Sequence, residues 1–242
     1  MRVLLTGGTG RLGRELQKVF HKYSTECHAP PRTMVDVVNM DSIKRCIKKI
    51  KPEIVIHTAA MTDIRKCEID WKLAELVNAG GTHNVAVACK LAGCKMIHIS
   101  TACVFDGEHS PFVESSKPGP KNMYALTKYA AEQVVKNVNP RHLIIRTNFV
   151  PREKWKYPKA FTDRFGTYLF ADDVAKAINE VIISGIEGTV HICGSERMSM
   201  YELAKITTAG VQPMTLKDYD GPPLTRDMSL SSERIEPFKL TR

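Results

Sequence analysis

The chain has 242 residues, with 35 Lys and Arg against 26 Asp and Glu, so its formal charge is +9 at neutral pH. A hydrophobic fraction of 43% and a charged fraction of 25% are globular values that exclude disorder and fibrous folds. No apolar run approaches the roughly 18 residues of a membrane span, and the first apolar stretch meets Gly7 too soon for a signal peptide. The basic balance predicts an anionic partner. The 7 cysteines, none in a Cys-x-x-Cys pair, predict free thiols in a cytoplasmic protein.

In chain order, Val3-Leu4-Leu5 reads as a strand broken by Thr6-Gly7-Gly8-Thr9-Gly10. Leu12, Leu16, Val19 and Phe20 then recur at helical spacing. Asp41 is placed to cap a helix that carries Ile43, Ile47 and Ile50 inward and stops at Pro52. Ile54-Val55-Ile56 predicts a buried strand, and a long helix runs from about Trp71 to Leu91, closed by Gly93. Met96 to Ile99 is a strand, Asp106 to Pro120 a loop, Tyr124 to Asn137 a helix and Leu143 to Ile145 a strand. Pro151 to Lys159 reads as irregular and Asp172 to Ile183 as an amphipathic helix. Thr189 to Ile192 is a strand, and Ser199-x-x-Glu202 a capping box opening another helix. After Pro213 the pattern predicts surface segments packed on the main body. Strands alternating with helices predict a parallel sheet covered on both faces, an α/β fold.

Two groups of residues carry chemistry. Gly7-x-x-Gly10-x-x-Gly13 lies between a strand and a helix, where glycines let the backbone approach a pyrophosphate at the helix N-terminus. Near the end of the second strand Glu26 is early for a ribose-binding carboxylate. Arg11 and Arg32 would meet a 2′-phosphate, which leans toward NADP. Tyr124 and Lys128 share a helix face, and an ammonium beside a phenol suits the phenol to proton transfer. Tyr201-x-x-x-Lys205 repeats the spacing, but only the first pair follows hydroxyls at a strand end, Ser100-Thr101, so Tyr201 is read as structural. His57 and His98, also at strand ends, are read as satisfied, half-buried imidazoles. Lys44, Arg45, Lys48, Lys49 and Lys51 read as a solvated face. No metal-ligand spacing and no nucleic-acid module occurs.

With these residues in place the sequence resembles the extended short-chain dehydrogenase/reductases and, within them, the dTDP-4-dehydrorhamnose reductases. The matching stretches are Thr6 to Gly13, Lys51 to Ala60, Ser100 to Gly107, Tyr124 to Lys128, Arg146-Thr147, Asp163 to Gly166 with Ala171 to Ala175, and Arg226 to Leu230. The resemblance implies a Rossmann-type doubly wound parallel sheet with a small C-terminal substrate-binding lobe. A dinucleotide-binding domain would occupy 1–150, and a reduced lobe 151–242, interleaved with the last strands of the core. It implies hydride transfer from NADPH or NADH to the C4 ketone of a nucleotide-linked 4-keto-6-deoxyhexose, in a cytoplasmic enzyme compatible with a homodimer and without nucleic-acid or membrane partners. The same superfamily also contains epimerases and dehydratases, and non-catalytic dinucleotide-binding regulatory subunits.

Carried over residue by residue, Thr101 would orient the keto oxygen, Tyr124 would donate the proton, and Lys128 would hold the nicotinamide ribose and tune Tyr124. Gly7, Gly10, Arg11, Leu12 and Gly13 would line the pyrophosphate, Asp36 and Val37 the adenine, and Ala59, Ala60 and Met61 the cofactor at the third strand end. Thr101, Ala102 and Phe149 would border the sugar. The sequence departs from the family at Ala102-Cys103, where Asp-Tyr is usual, and in the 16 residues between Arg146 and Asp163, where the family has a longer insert. Seven basic and two acidic residues from Arg141 to Arg164 predict a basic patch beside the cleft.

Overall fold

The computed structural model describes all 242 residues. β1 (Arg2–Thr6), α1 (Arg11–Lys22), β2 (Glu26–His28), α2 (Met40–Ile50) and β3 (Ile54–His57) build the first half of a central sheet. α3 (Ile64–Ile69), α4 (Trp71–Glu75), a π-helical turn (Leu76–Gly80) and α5 (Gly81–Ala92) lead to β4 (Lys95–Ile99), then α6 (Met123–Val138) and β5 (His142–Thr147). The lobe adds the short strands β6 (Phe149–Val150), β7 (Lys159–Phe161), β8 (Phe165–Gly166) and β9 (Leu169–Phe170). After α7 (Ala171–Ile183), β10 (Gly188–Ile192) returns to the central sheet. β11 (Met198–Ser199), α8 (Met200–Thr207), β12 (Gln212–Met214) and β13 (Asp227–Met228) complete the lobe.

The six central strands lie in the order β10-β5-β4-β3-β1-β2, all parallel, and helices cover both faces. This is the Rossmann-type doubly wound sheet expected above. Successive side chains of a strand point to opposite faces, and the core divides on that alternation. Val3, Leu5, Ile56, Ile97, Ile99, Leu143 and Ile145 pack with Leu16 and Phe20 of α1 and Val174 and Ile178 of α7. Leu4, Val55, Met96 and Ile144 face the other way, against Ile43 of α2, Val85 of α5 and Val135 of α6. A third cluster, with Phe105, Tyr168, Phe170 and Met228, joins the lobe to the sheet.

Three local readings change. Asn39, not Asp41, caps α2, its side chain accepting from the Asp41 and Ser42 amides; Asp41 sits two residues further on, within the first turn, where its charge still suits the helix dipole. The single predicted helix of 71–91 is interrupted by the π turn before Gly93 closes it in the left-handed region, at φ +68°. Residues after Pro213 are not all superficial: Thr225, Met228, Ser229 and Leu230 are buried, because β13 adds to β8 beneath the lobe. The capping box at Ser199 forms as read.

Toward the carboxyl end of the sheet, the face covered by α6 becomes polar. Glu132, fully buried, takes Ser100 Oγ at 2.6 Å and both Arg146 Nε (2.9 Å) and Nη2 (2.8 Å), a two-pronged ion pair. His191 Nε2 lies 3.4 Å from Arg146 Nη1, and His191 Nδ1 donates to the Ser231 carbonyl at 2.8 Å. Removing one member of such a pair leaves an unpaired buried charge, at about 3–5 kcal/mol. Arg146→Leu is therefore expected to lose about that much stability in urea unfolding, and Arg146→Leu with Glu132→Leu to recover most of it. A single variant as stable as the parent would show that the pair has no structural weight.

Candidate active site

The glycine turn forms because two close approaches leave no room for side chains. Gly7 has φ +75°, and a Cβ there would lie 2.6 Å from the Ala59 amide nitrogen; one on Gly13 would lie 2.3 Å from the Gly7 carbonyl oxygen. The turn brings the carboxyl ends of β1 and β3 together, helped by Thr58 Oγ1, which donates to the Thr6 carbonyl at 2.8 Å. α1 starts at Gly10 with no side-chain cap and no acidic residue in its first turn, while Arg11 and Arg14 stand beside it. Its first amides are thus unsatisfied and its dipole uncompensated, an arrangement that fits an anionic group such as a pyrophosphate.

The second strand decides the ribose side. Glu26 opens β2 in register with Arg2, at the amino edge, and bonds His28 Nε2 at 2.8 Å. It lies at the wrong end of the strand for a ribose. Ala29 packs over Gly8, and the exposed Arg32 stands 3.6 Å from Asp36. Asp36 turns its carboxylate to the Val38 amide, and Val37 is buried against Gly81. Ala59, Ala60 and Met61 follow β3 beside the glycine turn, each partly accessible.

Asn78 was not singled out by the sequence motifs, yet it fixes this edge. Buried in the π turn, it accepts from the Met61 amide at 2.7 Å and donates to the Met61 carbonyl and to Thr127 Oγ1, both at 3.0 Å. It thereby ties the β3 end to α6. The signal was available: Asn78 lies four residues after Ala74, four before Thr82 and seven before Val85, on the stripe that faces the core. A polar side chain on a buried stripe needs a partner, and the π turn, a frequent feature of functional sites, aims it.

Thr101, Tyr124 and Lys128 come together at the carboxyl end of β4. Thr101 leaves the strand extended, is buried, and accepts from the Cys103 amide at 3.1 Å. Asn122 caps α6 through the Ala125 amide, which sets Tyr124 in the first turn. Burial pushes the Tyr124 phenol above its ordinary value, Cys103 adds to the rise, and the nearby Thr101 hydroxyl opposes it. Lys128, one turn on, is almost fully buried. Its Nζ donates to the Ile99 carbonyl at 2.7 Å and meets His98 Nε2 at 3.1 Å. Burial lowers its pKa to about 8, against the opposing pull of Glu132.

The remaining expectations fare differently. Phe149 is partly accessible on β6. Ala102 is a correction: it is wholly enclosed with Val104, Phe105 and Tyr168 and presents no surface to a sugar, because the turn after Thr101 folds it inward. Cys103 packs its Sγ 3.3 Å from Met228 Sδ. The basic patch does not assemble. Arg141 reaches the Gly93 carbonyl near the amino end of β4, Arg146 is neutralised inside, Arg152 pairs with Asp172 and Asp173, and Arg164 is buried on the Thr225 carbonyl. Lys154, Lys156 and Lys159 remain exposed. His57 and His98 are fully buried rather than half-buried. Tyr201 packs in a small cluster with Ala160, Ala204 and Val211.

Residues 1–219 match the model of the family described as the RmlD substrate binding domain. The dTDP-4-dehydrorhamnose reductase of Escherichia coli (strain K12) is 29% identical, over 93% of this chain and 84% of that protein. The methionine adenosyltransferase 2 subunit beta of Rattus norvegicus is 26% identical, over 97% of this chain and 81% of that one. Among solved structures, a dTDP-4-dehydrorhamnose reductase from Bacillus anthracis in complex with NADP superposes with a TM-score of 0.88 at 27% identity, covering 95% of this chain and 90% of that chain.

His57 gives a testable pH dependence. Its Nδ1 accepts from Thr6 Oγ1 at 2.7 Å and its Nε2 donates to Thr82 Oγ1 at 3.0 Å; burial and then Lys128 lower its pKa to about 3. An unfolded histidine takes up its proton near 6.5, so this stability is complete above that pH and is lost as the pH falls toward 3. At pH 5 the expected loss is about 2 kcal/mol, read as a lower urea midpoint than at pH 7 and reduced in His57→Gln. Equal midpoints at the two pH values would contradict the assignment.

Proposed function

The chain belongs to the family of the RmlD substrate binding domain, and from that membership we propose that it is an NAD(P)H-dependent oxidoreductase reducing the 4-keto group of a nucleotide-linked 6-deoxyhexose, with NADP(H) favoured. The observation that carries this reading is the meeting of Thr101, Tyr124 and Lys128 beside an uncapped glycine turn. A binding module has no need of a half-buried phenol beside a buried hydroxyl and a buried ammonium.

Gly7, Gly10, Arg11, Leu12 and Gly13 would hold the pyrophosphate through backbone amides, Asp36 and Val37 the adenine end, and Ala59, Ala60, Met61 and Lys128 the nicotinamide end. Arg32, with no carboxylate at the carboxyl end of β2, favours a 2′-phosphate. When bound, the reduced nicotinamide supplies a hydride. Tyr124, held protonated by burial, gives its proton to the keto oxygen as the carbinol forms. Thr101 orients that oxygen, and the Lys128 ammonium offsets the phenolate left behind. Phe149 and the exposed lysines of 154–159 would border the sugar nucleotide. In this reading residues 1–150 serve the cofactor, and 151–242 the sugar, with β10 returned to the sheet. All 7 thiols are free, as a reducing cytoplasm requires.

Fluorescence titration with NADPH and NADH, followed by turnover of a dTDP-4-keto-6-deoxyhexose, tests the reading. Tyr124→Phe is expected to lower kcat by about 10²–10⁴-fold while cofactor still binds. Activity of the parent is expected to fall as the pH rises through about 8, where Lys128 gives up its proton. Cofactor binding without turnover of any nucleotide-linked 4-keto sugar would overturn the enzyme reading in favour of a regulatory subunit.

A further inference from the structure

We propose that His98 is a positioning residue for Lys128: a permanently neutral imidazole that accepts a hydrogen bond from the Lys128 ammonium and, with the Ile99 carbonyl, fixes where that ammonium stands relative to Tyr124. The inference rests on the reading of Tyr124 and Lys128 as the catalytic pair.

The geometry fixes the direction of the bond. A lysine ammonium has three donors and no acceptor. One N–H goes to the Ile99 carbonyl at 2.7 Å, and a second points at His98 Nε2 at 3.1 Å. Nε2 must then be unprotonated, so the proton sits on Nδ1. Nδ1 is the atom left without a partner in the interior. A charged imidazolium is excluded, because it would set two positive charges about 3 Å apart in a dry site. Burial, Lys128 and His57 all push His98 well below its ordinary value, toward the same neutral form.

The groups around the ammonium leave His98 a defined role. From β4 come His98 and the Ile99 carbonyl; from β3 comes His57, its ring 5.5 Å from that of His98; from α6 itself comes Glu132, with Tyr124 one turn before Lys128 on the same helix. Glu132 is already committed to Ser100 and Arg146. His98 is thus the side chain that directly takes a Lys128 hydrogen bond, which leaves one N–H free for the open side. It sits three residues before Thr101 on the same chain segment, so the ammonium and the Thr101 hydroxyl are referred to one strand.

The test compares His98→Phe, which fills the space without an acceptor, with His98→Gln, which keeps one, both under turnover with NADPH and the 4-keto sugar. In His98→Phe the ammonium loses a hydrogen bond. The alkaline limb of kcat is expected to move down by about one pH unit, with kcat reduced about 10-fold and the sugar KM little changed, while His98→Gln restores most of both. A parental alkaline limb and a parental kcat in a folded His98→Phe would overturn the proposal. Tyr124→Phe and Lys128→Met separate the premise: if these leave turnover intact, the catalytic pair is misassigned. If they abolish turnover and His98→Phe does nothing, only the role of His98 fails. Should His98→Phe not fold, ¹⁵N-histidine NMR of the parent decides: a neutral Nδ1–H ring from pH 5 to 9 supports the proposal, and an Nε2–H ring or an imidazolium overturns it.

Discussion

Everything at the carboxyl edge of the sheet depends on keeping polar groups dry, and nearly all of them paired, on the face beneath α6. Thr6 and His57 are neighbours in register, as are His57 and His98; Ser100, Arg146 and His191 continue the row on the following strands. A parallel sheet buried on both faces ordinarily fills such positions with Val, Ile or Leu. Here His57, His98, Ser100 and Arg146 are instead met by a covering helix, through Thr82 on α5 or Lys128 and Glu132 on α6, while Thr6 pairs with His57 and His191 with the Ser231 carbonyl. Glu132 is the pivot. It balances Arg146, opposes the discharge of Lys128 and anchors Ser100 next to Thr101. Satisfied networks of this kind favour one arrangement over its neighbours, since every alternative strands a buried charge.

This row explains why pKa values separate within a small volume. Tyr124 is pushed up and Lys128 down by the same burial, because burial opposes whichever form is charged. The histidines are driven neutral for the same reason and by the ammonium between them. A phenol that keeps its proton beside an ammonium that barely keeps its own is a pair in which small changes of position matter. The dry surroundings that tune the pair also make it sensitive to its supports.

Much of this was legible in the residues. The short continuous apolar runs Val3–Leu5, Ile54–Ile56 and Leu143–Ile145 gave the strands, and the strand end before Tyr124 distinguished it from Tyr201, which lies in a separate cluster. Legibility failed where a turn or the tertiary fold, rather than the local pattern, sets a residue's partner. The helical repeat marks Asn78 as facing the core, but its partner Met61, reached through the π turn, is not written in that repeat. Ala102 reads as a site neighbour by position but is folded inward by one tight turn. The basic patch failed for a physical reason: charge counted along the chain says nothing of which carboxylates fold back upon it, and Glu132, Asp172 and Asp173 do.

The lobe is joined to the sheet by contacts between residues far apart in sequence. Cys103 meets Met228, Thr225 Oγ1 reaches the Phe105 carbonyl, Glu114 takes Ser232 and the Glu233 amide, and His191 is held by the Ser231 carbonyl. Each closes a loop of tens to more than a hundred residues, and the entropy of closure must be met before the contact repays it. In kinetic terms the central sheet can collapse on nearer neighbours, while the lobe waits for segment 225–233 to arrive. The segment 225–233 is therefore a part of the fold whose contacts carry a large closure cost.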